Sequence, residues 1–483
     1  MNSRPGLIFL LSLLLFSSAL HFSVRQWPIE WNGYTLRGWS WRDKSVDTTD
    51  APKAIKAEKP DSVVCKKIEL FPEKTREEID RYVDSLEKFL SRPLSDSVLV
   101  ESPFLVNCQR PDGTFPLDNF FQSLHTLSVD SSDLIRVAHY GDSQIEGDRL
   151  TDQLRILFQD AFVGNGVGFV PLVDITAPVS YVRQTGKSWT RYSIFNNKTN
   201  KYPYGIGGTC FLYDSSQTGT IGLQLMRQYQ VIKLAYGKGS AQSLLEVYSG
   251  TSQQKLATHT LDQESDFNLL TLSVRSGEAR LNFRFTGPPP VIYGFYFDPV
   301  YGIQFDNYGL RGQAGDGLQL IQEEHFRKMN AILNNRLTIL EFGGNVVPGL
   351  RNEKAIALYG NLYKKTYGYV QRATDSISLL VIGVNDVSRS TGGGYKSYPN
   401  IGALRYAQRQ HAVEQGMAFF DLLQWMGGEN AIQVWYDRKL SSRDGHFSNR
   451  GRALLARAIF LSLMYEYRQF LKRKQIDAPI LFP

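Results

Sequence analysis

Ser143, His446 and Asp444 are the residues of this chain whose types could together carry acyl-transfer chemistry. A serine hydroxyl is a poor nucleophile until an imidazole takes its proton, and an imidazole is held in the right tautomer by a carboxylate. Ser143 stands in His139-Tyr140-Gly141-Asp142-Ser143-Gln144, and the other two stand in Arg443-Asp444-Gly445-His446. His446 is the candidate base and Asp444 its orienter. The tetrahedral intermediate also needs donors aimed at its oxyanion, and losing one costs about 3 to 4 kcal/mol of barrier. The backbone N–H groups of Ser143 and Gly315 and the side-chain amide of Asn345 are the candidates. A lone Gly-Asp-Ser is as readily a helix cap, so the chemistry depends on elements that bring these residues together.

The flanking pattern supplies such elements. Leu134 to His139 (LIRVAH) reads as a short buried strand, and Leu150, Leu154, Leu157 and Phe158 recur at helical spacing behind it. Ser143 is therefore expected at a strand-to-helix turn, with free backbone N–H groups and a helix dipole favouring negative charge. Further apolar strands at Leu337 to Phe342, Ile377 to Ile382 and Met417 to Leu422 alternate with helical stretches at Gly317 to Leu333, Glu353 to Ala373, Ile401 to Gln415 and Arg450 to Lys474. Strand alternating with helix means a parallel sheet covered on both faces, an α/β core with ligands at the carboxyl ends of the strands. Ser143, the Gly312–Asp316 turn, Gly343-Gly344-Asn345 and His446 all fall at such ends.

Between the two parts of this pattern the character changes. From about Thr176 to Pro299, short stretches (GTCFLYD, TIGLQLM, VIKLAYG, SLLEVYSG, NLLTLSV, ARLNFRF, VIYGFYF) are separated by Gly, Ser, Asn and Asp at intervals of about ten residues, the signature of an antiparallel sandwich. The expected division is 1–22, an export signal peptide or membrane anchor; 23–130, a linker and N-terminal helical arm; 131–175, core; 176–301, inserted β-sandwich; and 302–483, core again. In the arm, Thr75-Arg76-Glu77-Glu78 makes a capping box ahead of Ile79, Tyr82, Val83, Leu86 and Phe89, and a shorter helix is expected around Leu117 to Leu127.

Arg4 precedes the apolar run Leu7 to Leu20, which export machinery reads. Ser17 and Ala19 offer a cleavage site, whereas Phe22, Val24 and the tryptophans Trp27, Trp31, Trp39 and Trp41 would suit a retained membrane tether. The net charge of +7 is dilute over 483 residues, and without a Lys/Arg block interleaved with aromatics no nucleic-acid partner is expected. Cys65, Cys108 and Cys210 do not have metal-site spacing, so no metal and no cofactor is expected; Cys65 and Cys108 could pair in an exported protein, leaving Cys210 over. Gly164-Asn165-Gly166-Val167-Gly168 lacks the Lys-Ser/Thr of a phosphate loop and reads as a structural turn. His125, His139, His259 and His411 show no partner pattern.

Gly141-Asp142-Ser143, Gly315, Gly343-Gly344-Asn345 and Asp444 with His446 occur in the order of the SGNH, or GDSL, hydrolases. The layout resembles exported peptidoglycan O-acetylesterases of that superfamily, which carry a carbohydrate-binding-like β-sandwich between the serine and glycine blocks. The resemblance implies a flavodoxin-like three-layer α/β/α fold, no metal and a covalent acyl-serine intermediate. It departs from the family in two places. The family spaces acid and base as Asp-x-x-His, one residue more than Asp444-Gly445-His446, which leaves Asp437, or no acid, as alternatives. Gly383-Val384-Asn385-Asp386 spells the family's GxND block literally, but Asn345 lies earlier, where the oxyanion strand is expected, leaving Asn385 as a substrate-side alternative.

Three functions follow as expectations. The first is an exported, periplasmic or cell-surface serine esterase that removes acetyl groups from peptidoglycan or another O-acetylated polysaccharide, with Trp189 and the sandwich tyrosines as sugar platforms. The second is a membrane-tethered O-acetyltransferase using the same serine. The third is an inactive glycan-binding protein.

Overall fold

The computed structural model describes residues 29–31, 34–36 and 74–479, save 131, 275–276, 375, 393 and 478. The expected signal or anchor at 1–22 and Cys65 lie outside them, as do the side chains of Trp27, Trp31, Trp39 and Trp41. Residues 1–60 are a separate unit, in which Ile29–Trp31 pairs antiparallel with Tyr34–Leu36. Among the described residues no helix is long and apolar enough to cross a membrane.

A six-stranded sheet organises the rest. Its order is Gly302–Gly309, Leu134–Gly141, Asn335–Glu341, Ser378–Ile382, Ala418–Phe420 and Leu105–Val106. The first five are parallel and the last antiparallel. Numbered along the chain, the parallel strands run 2-1-3-4-5, the flavodoxin-like order. The pleat sends alternate residues to opposite faces. Ile135, Val137, Ile339 and Ile382 meet Leu154 and Phe158 of helix Arg149–Phe162 and Leu455 and Ile459 of helix Asn449–Lys474. Ala138, Tyr140, Leu340 and Val381 meet helices Glu323–Ile332, Glu353–Ala373 and Ile401–Glu414. The result is three layers, as expected.

Thr75 caps helix Arg76–Leu90 by the reciprocal bonds expected of a capping box: Glu78 N–H donates to Thr75 Oγ1 at 3.2 Å and Thr75 N–H to Glu78 Oε2 at 2.7 Å. The expected helix at Leu117 to Leu127 runs Asp118–Val129. The stretch Gly317 to Leu333 is not one helix: a single 3-10 turn at Leu318–Leu320 precedes helix Glu323–Ile332.

The insert is a sandwich of two antiparallel sheets. One has the order Asn268–Thr271, Val231–Tyr236, Ile292–Asp298, Thr209–Tyr213, Trp189–Ser193; the other has Lys255–Thr260, Leu244–Ser249, Arg280–Thr286, Gly219–Leu225, Tyr181–Thr185. Phe211, Leu234 and Phe295 of the first face Ile221, Leu245 and Phe283 of the second. Gly168–Val170, on the core side of position 176, also pairs with Ile292–Asp298. The glycine turn before it is structural: a Cβ on Gly166, whose φ is +80°, would stand 2.1 Å from the carbonyl oxygen of Phe297. Trp189 is not a sugar platform. It is 9% exposed, packs edge-on to Tyr213 and Phe285, and donates its indole N–H to Thr220 O.

A buried cation is among the contacts that join core and insert. Arg136, on the serine strand, donates to both carboxylate oxygens of Asp306 (3.0 and 2.9 Å), hydrogen-bonds Asp298 of the sandwich, and lies 4.7 Å from the Tyr296 ring. Cys108 is disulfide-bonded, and Cys210, on the sandwich strand Thr209–Tyr213, is a buried free thiol whose pKa burial pushes up to about 12.

Candidate active site

Ser143 follows the carboxyl end of Leu134–Gly141, where the strand order reverses. Gly141 must be glycine there, because a Cβ would lie 2.9 Å from Glu341 O on the next strand. The helix behind begins only at Arg149, after a turn in which Glu146 N–H donates to Asp142 O and Arg149 N–H to Ile145 O. Ser143 is thus not at a helix N-terminus, and the expected dipole effect, which fades within one turn, does not reach it.

The structure brings Ser143, His446 and Asp444 together. His446 Nε2 lies 2.8 Å from Ser143 Oγ, and its Nδ1 lies 3.1 Å from Asp444 Oδ2. With the Nδ1 proton facing the carboxylate, Nε2 is left to accept the serine proton, an assignment that follows from the neighbours. The short Asp-Gly-His spacing works because Gly445 turns at φ +90° and Asp444 folds back, accepting from Ser442 Oγ–H and, at 3.4 Å, from the backbone N–H of His446. Partial burial raises the Asp444 pKa, but the bonds from Ser442 and His446 together outweigh it and leave the carboxyl below its usual value. Its side chain is 68% exposed and that of His446 35%. Asp437 is occupied elsewhere, in an ion pair with Arg76.

Two residues hold the histidine loop: Gln144, to which the sequence assigns no role, and Asn385, the substrate-side alternative. Gly445 O accepts from Gln144 Nε2 at 2.8 Å and from Asn385 Nδ2 at 2.9 Å. Asn385 is 3% exposed with its amide also directed at Asp386 O, and Asp386 accepts from Ser397 Oγ and Ile432 N–H. Asn385 Nδ2 and Asp386 of the GxND block therefore brace loops. A polar residue directly after the serine was the only signal for Gln144.

The oxyanion candidates are unequally placed. Among the described residues, the backbone N–H groups of Ser143 and Gly315 donate to no protein acceptor. Gly315, at φ +93°, abuts Phe342, and its carbonyl accepts from Thr366 Oγ1. Asn345 joins the loops, its Nδ2 donating to Asp142 Oδ2 at 2.8 Å and Gln313 O at 3.0 Å. Both amide protons are engaged, so a third oxyanion bond requires one to be shared.

Beneath the serine lies a buried acid pair. Asp142 Oδ1 accepts from Gln144 N–H, and burial, aided by the nearby Glu341 charge, pushes its pKa up to about 7 against the donors' opposing effect. Glu341 Oε2 lies 3.1 Å from His139 Nε2, whose Nδ1 lies 3.1 Å from Thr151 Oγ1. His139 thus has partners on both nitrogens. Because the folded pKa of Asp142 exceeds its unfolded value of 3.8, its contribution to stability is complete below that pH and lost as pH rises through about 7. Asp142→Asn removes the titration. Its stability relative to wild type is expected to climb between pH 4 and 8 by up to about 4 kcal/mol, at about 1.36 kcal/mol per pH unit. Urea midpoints across that range test this. Lost hydrogen bonds offset the two curves but do not tilt one against the other, so parallel curves would refute it.

No protein-family model and no curated protein matches the sequence. Solved structures do match. A peptidoglycan O-acetylesterase superposes with a TM-score of 0.57 at 20% identity, over 73% of this chain and 96% of that one. An acetyl xylan esterase from Geobacillus stearothermophilus matches at 15% identity with a TM-score of 0.25, over 34% of this chain and 74% of that one. A family two carbohydrate esterase from Cellvibrio japonicus matches at 10% identity with a TM-score of 0.22, over 60% and 99% respectively. The first of these shows a shared fold, a flavodoxin-like core with an inserted sandwich.

Proposed function

We propose that the chain is an exported serine esterase that removes O-acetyl groups from a polysaccharide, peptidoglycan among the candidates. The observation that carries the proposal is the line Ser143 Oγ, His446 Nε2, His446 Nδ1, Asp444 Oδ2, with contacts of 2.8 and 3.1 Å at the carboxyl edge of a parallel sheet. The fold shared with a protein described as a peptidoglycan O-acetylesterase supports the substrate class, and the apolar run after Arg4 supports export.

In this reading Ser143 Oγ attacks the acetyl carbonyl as His446 Nε2 takes its proton, and the oxyanion is held by the N–H groups of Ser143 and Gly315. The imidazolium returns the proton to the departing sugar hydroxyl. Water then attacks the acetyl-serine with His446 again as base, releasing acetate and restoring Ser143. The second reading, acetyl transfer, differs only in that a sugar hydroxyl replaces that water; the apolar N-terminal run, if retained as a tether, is what favours it. Acetate release from O-acetylated peptidoglycan and acetylated xylan, measured beside acetyl transfer to unacetylated glycan, separates them. Transfer without release would overturn hydrolysis.

Asp444 is solvent-exposed, and a charge in high dielectric stabilises a neighbouring imidazolium weakly. Asp444→Asn is therefore expected to lower kcat by about 10- to 100-fold, short of the roughly 10⁴-fold loss at a buried orienting aspartate. Steady-state rates on 4-nitrophenyl acetate check this, and an unchanged kcat would remove Asp444 from the mechanism.

A further inference from the structure

Phe195 is the one exposed phenylalanine among the described residues, at 42%. It belongs to the sandwich, yet it stands beside the oxyanion loop of the core. A Cβ on Gly312 would lie 3.0 Å from Phe195 Cε1 and Cζ, and one on Gly317 would lie 3.0 Å from Ile194 Cδ1. The pair Ile194-Phe195 therefore packs along both ends of the loop whose middle residue, Gly315, holds an uncommitted N–H.

The turn that presents the ring is fixed. Ser193 N–H donates to Asn196 O, Asn196 N–H donates back to Ser193 Oγ at 3.1 Å, and Asn197 Nδ2 reaches Arg191 O at 2.6 Å. Ile194 is fully buried beneath it, its N–H bonded to Gly208 O. The rim is polar: Arg311, beside Gly312, holds Glu146 Oε2 at 2.9 Å, and Glu146 accepts from Thr176 Oγ1 at 2.6 Å. A rigid aromatic face bordered by hydrogen-bonding groups matches a pyranose, which has an apolar C–H face and a hydroxyl edge. A phenylalanine ring, with only two side-chain torsions, also loses little conformational freedom when it is covered.

We propose that Phe195 is a stacking platform for a sugar ring of the glycan whose acetyl group is seated at Ser143, so that the sandwich forms one wall of the esterase cleft. The proposal deepens the esterase reading and rests on it for the identity of the substrate. Phe195→Ala is expected to lower kcat/KM on O-acetylated peptidoglycan or acetylated xylan by at least about tenfold, mainly through KM, while 4-nitrophenyl acetate, which has no sugar ring, is hydrolysed within about twofold of wild type. Phe195→Tyr is expected to keep the polymer activity. Equal polymer activity in wild type and Phe195→Ala would overturn the proposal, and so would a parallel loss on 4-nitrophenyl acetate, which would make the ring a prop for Gly312. A binding arm is independent of catalysis: depletion of Ser143→Ala and of Ser143→Ala/Phe195→Ala from solution by the same insoluble polysaccharides. Weaker depletion of the double variant supports the platform and equal depletion overturns it, even if a wild type inert on every acetate were to sink the esterase reading.

Discussion

Ser143→Ala is expected to reduce acetyl-ester hydrolysis by about 10⁴-fold or more while leaving the fold intact. The stability half of that expectation comes from the contacts: the only hydrogen bond of Ser143 Oγ among the described residues is to His446 Nε2, and both partners sit at a partly open edge. Removing one hydroxyl there should shift the urea midpoint by no more than about 0.5 kcal/mol of stability. The activity half comes from the unit behaviour of nucleophile and base. His446→Ala should cost about as much as Ser143→Ala, and the double variant little more, because each single change already disables the proton transfer. Initial rates on 4-nitrophenyl acetate and a serine-directed phosphonate label are the measurements. A wild type as inert and as unlabelled as Ser143→Ala would overturn the esterase reading.

The largest expected loss of stability is at Arg136→Met. The guanidinium is fully buried between Asp298 and Asp306, and removing one partner of a buried ion pair while its carboxylates remain costs about 3 to 5 kcal/mol. Lys233, 3.4 Å from Asp298, and the buried Arg155 charge acting on Asp306 relieve part of this, and Asp306 Oδ1 is otherwise held by Phe169 N–H at 2.9 Å. The penalty is uncompensated charge, so Arg136→Met/Asp298→Asn/Asp306→Asn should recover a good part of it. Urea unfolding of the three proteins at pH 7 decides between charge and packing. A triple variant no more stable than the single one would show that the loss is the packing of Arg136 against Tyr296.

Much of the architecture was legible because its signals are periodic. Helix Glu353–Ala373 and the strand at Ser378–Ile382 fall where apolar spacing put them, and each of the seven apolar stretches between Thr176 and Pro299 holds a sandwich strand. The strand Gly302–Gly309 was not legible. It reads GIQFDNYG, and Gln304, Asp306 and Asn307 argue against a buried strand until their partners Gln159, Arg136 and Thr151 are seen. Polar residues that satisfy one another across elements leave no local pattern. The same holds at the site: Ser143 and His446 announced themselves by type, whereas Gln144 and Asn385 act through a carbonyl at Gly445 that only the fold brings within reach. Trp189 was misread because an aromatic in a strand looks the same from sequence whether it faces solvent or the opposite sheet.

The pairing of Gly168–Val170 with Ile292–Asp298 bears on how the chain reaches this state. The serine strand needs Gly302–Gly309 as its neighbour, in register from Leu134 with Gly302 to Gly141 with Gly309, and a partner so distant in sequence makes for slow folding. The sandwich removes that distance. Once formed, it clamps its own entry to its exit, Phe169 opposite Tyr296, and delivers residue 303 to residue 163, where Ile303 N–H bonds Val163 O at 3.0 Å. With the sandwich formed and clamped at its base, the two core strands are held side by side, so the insert's own pairing supports a core pairing that is distant along the chain.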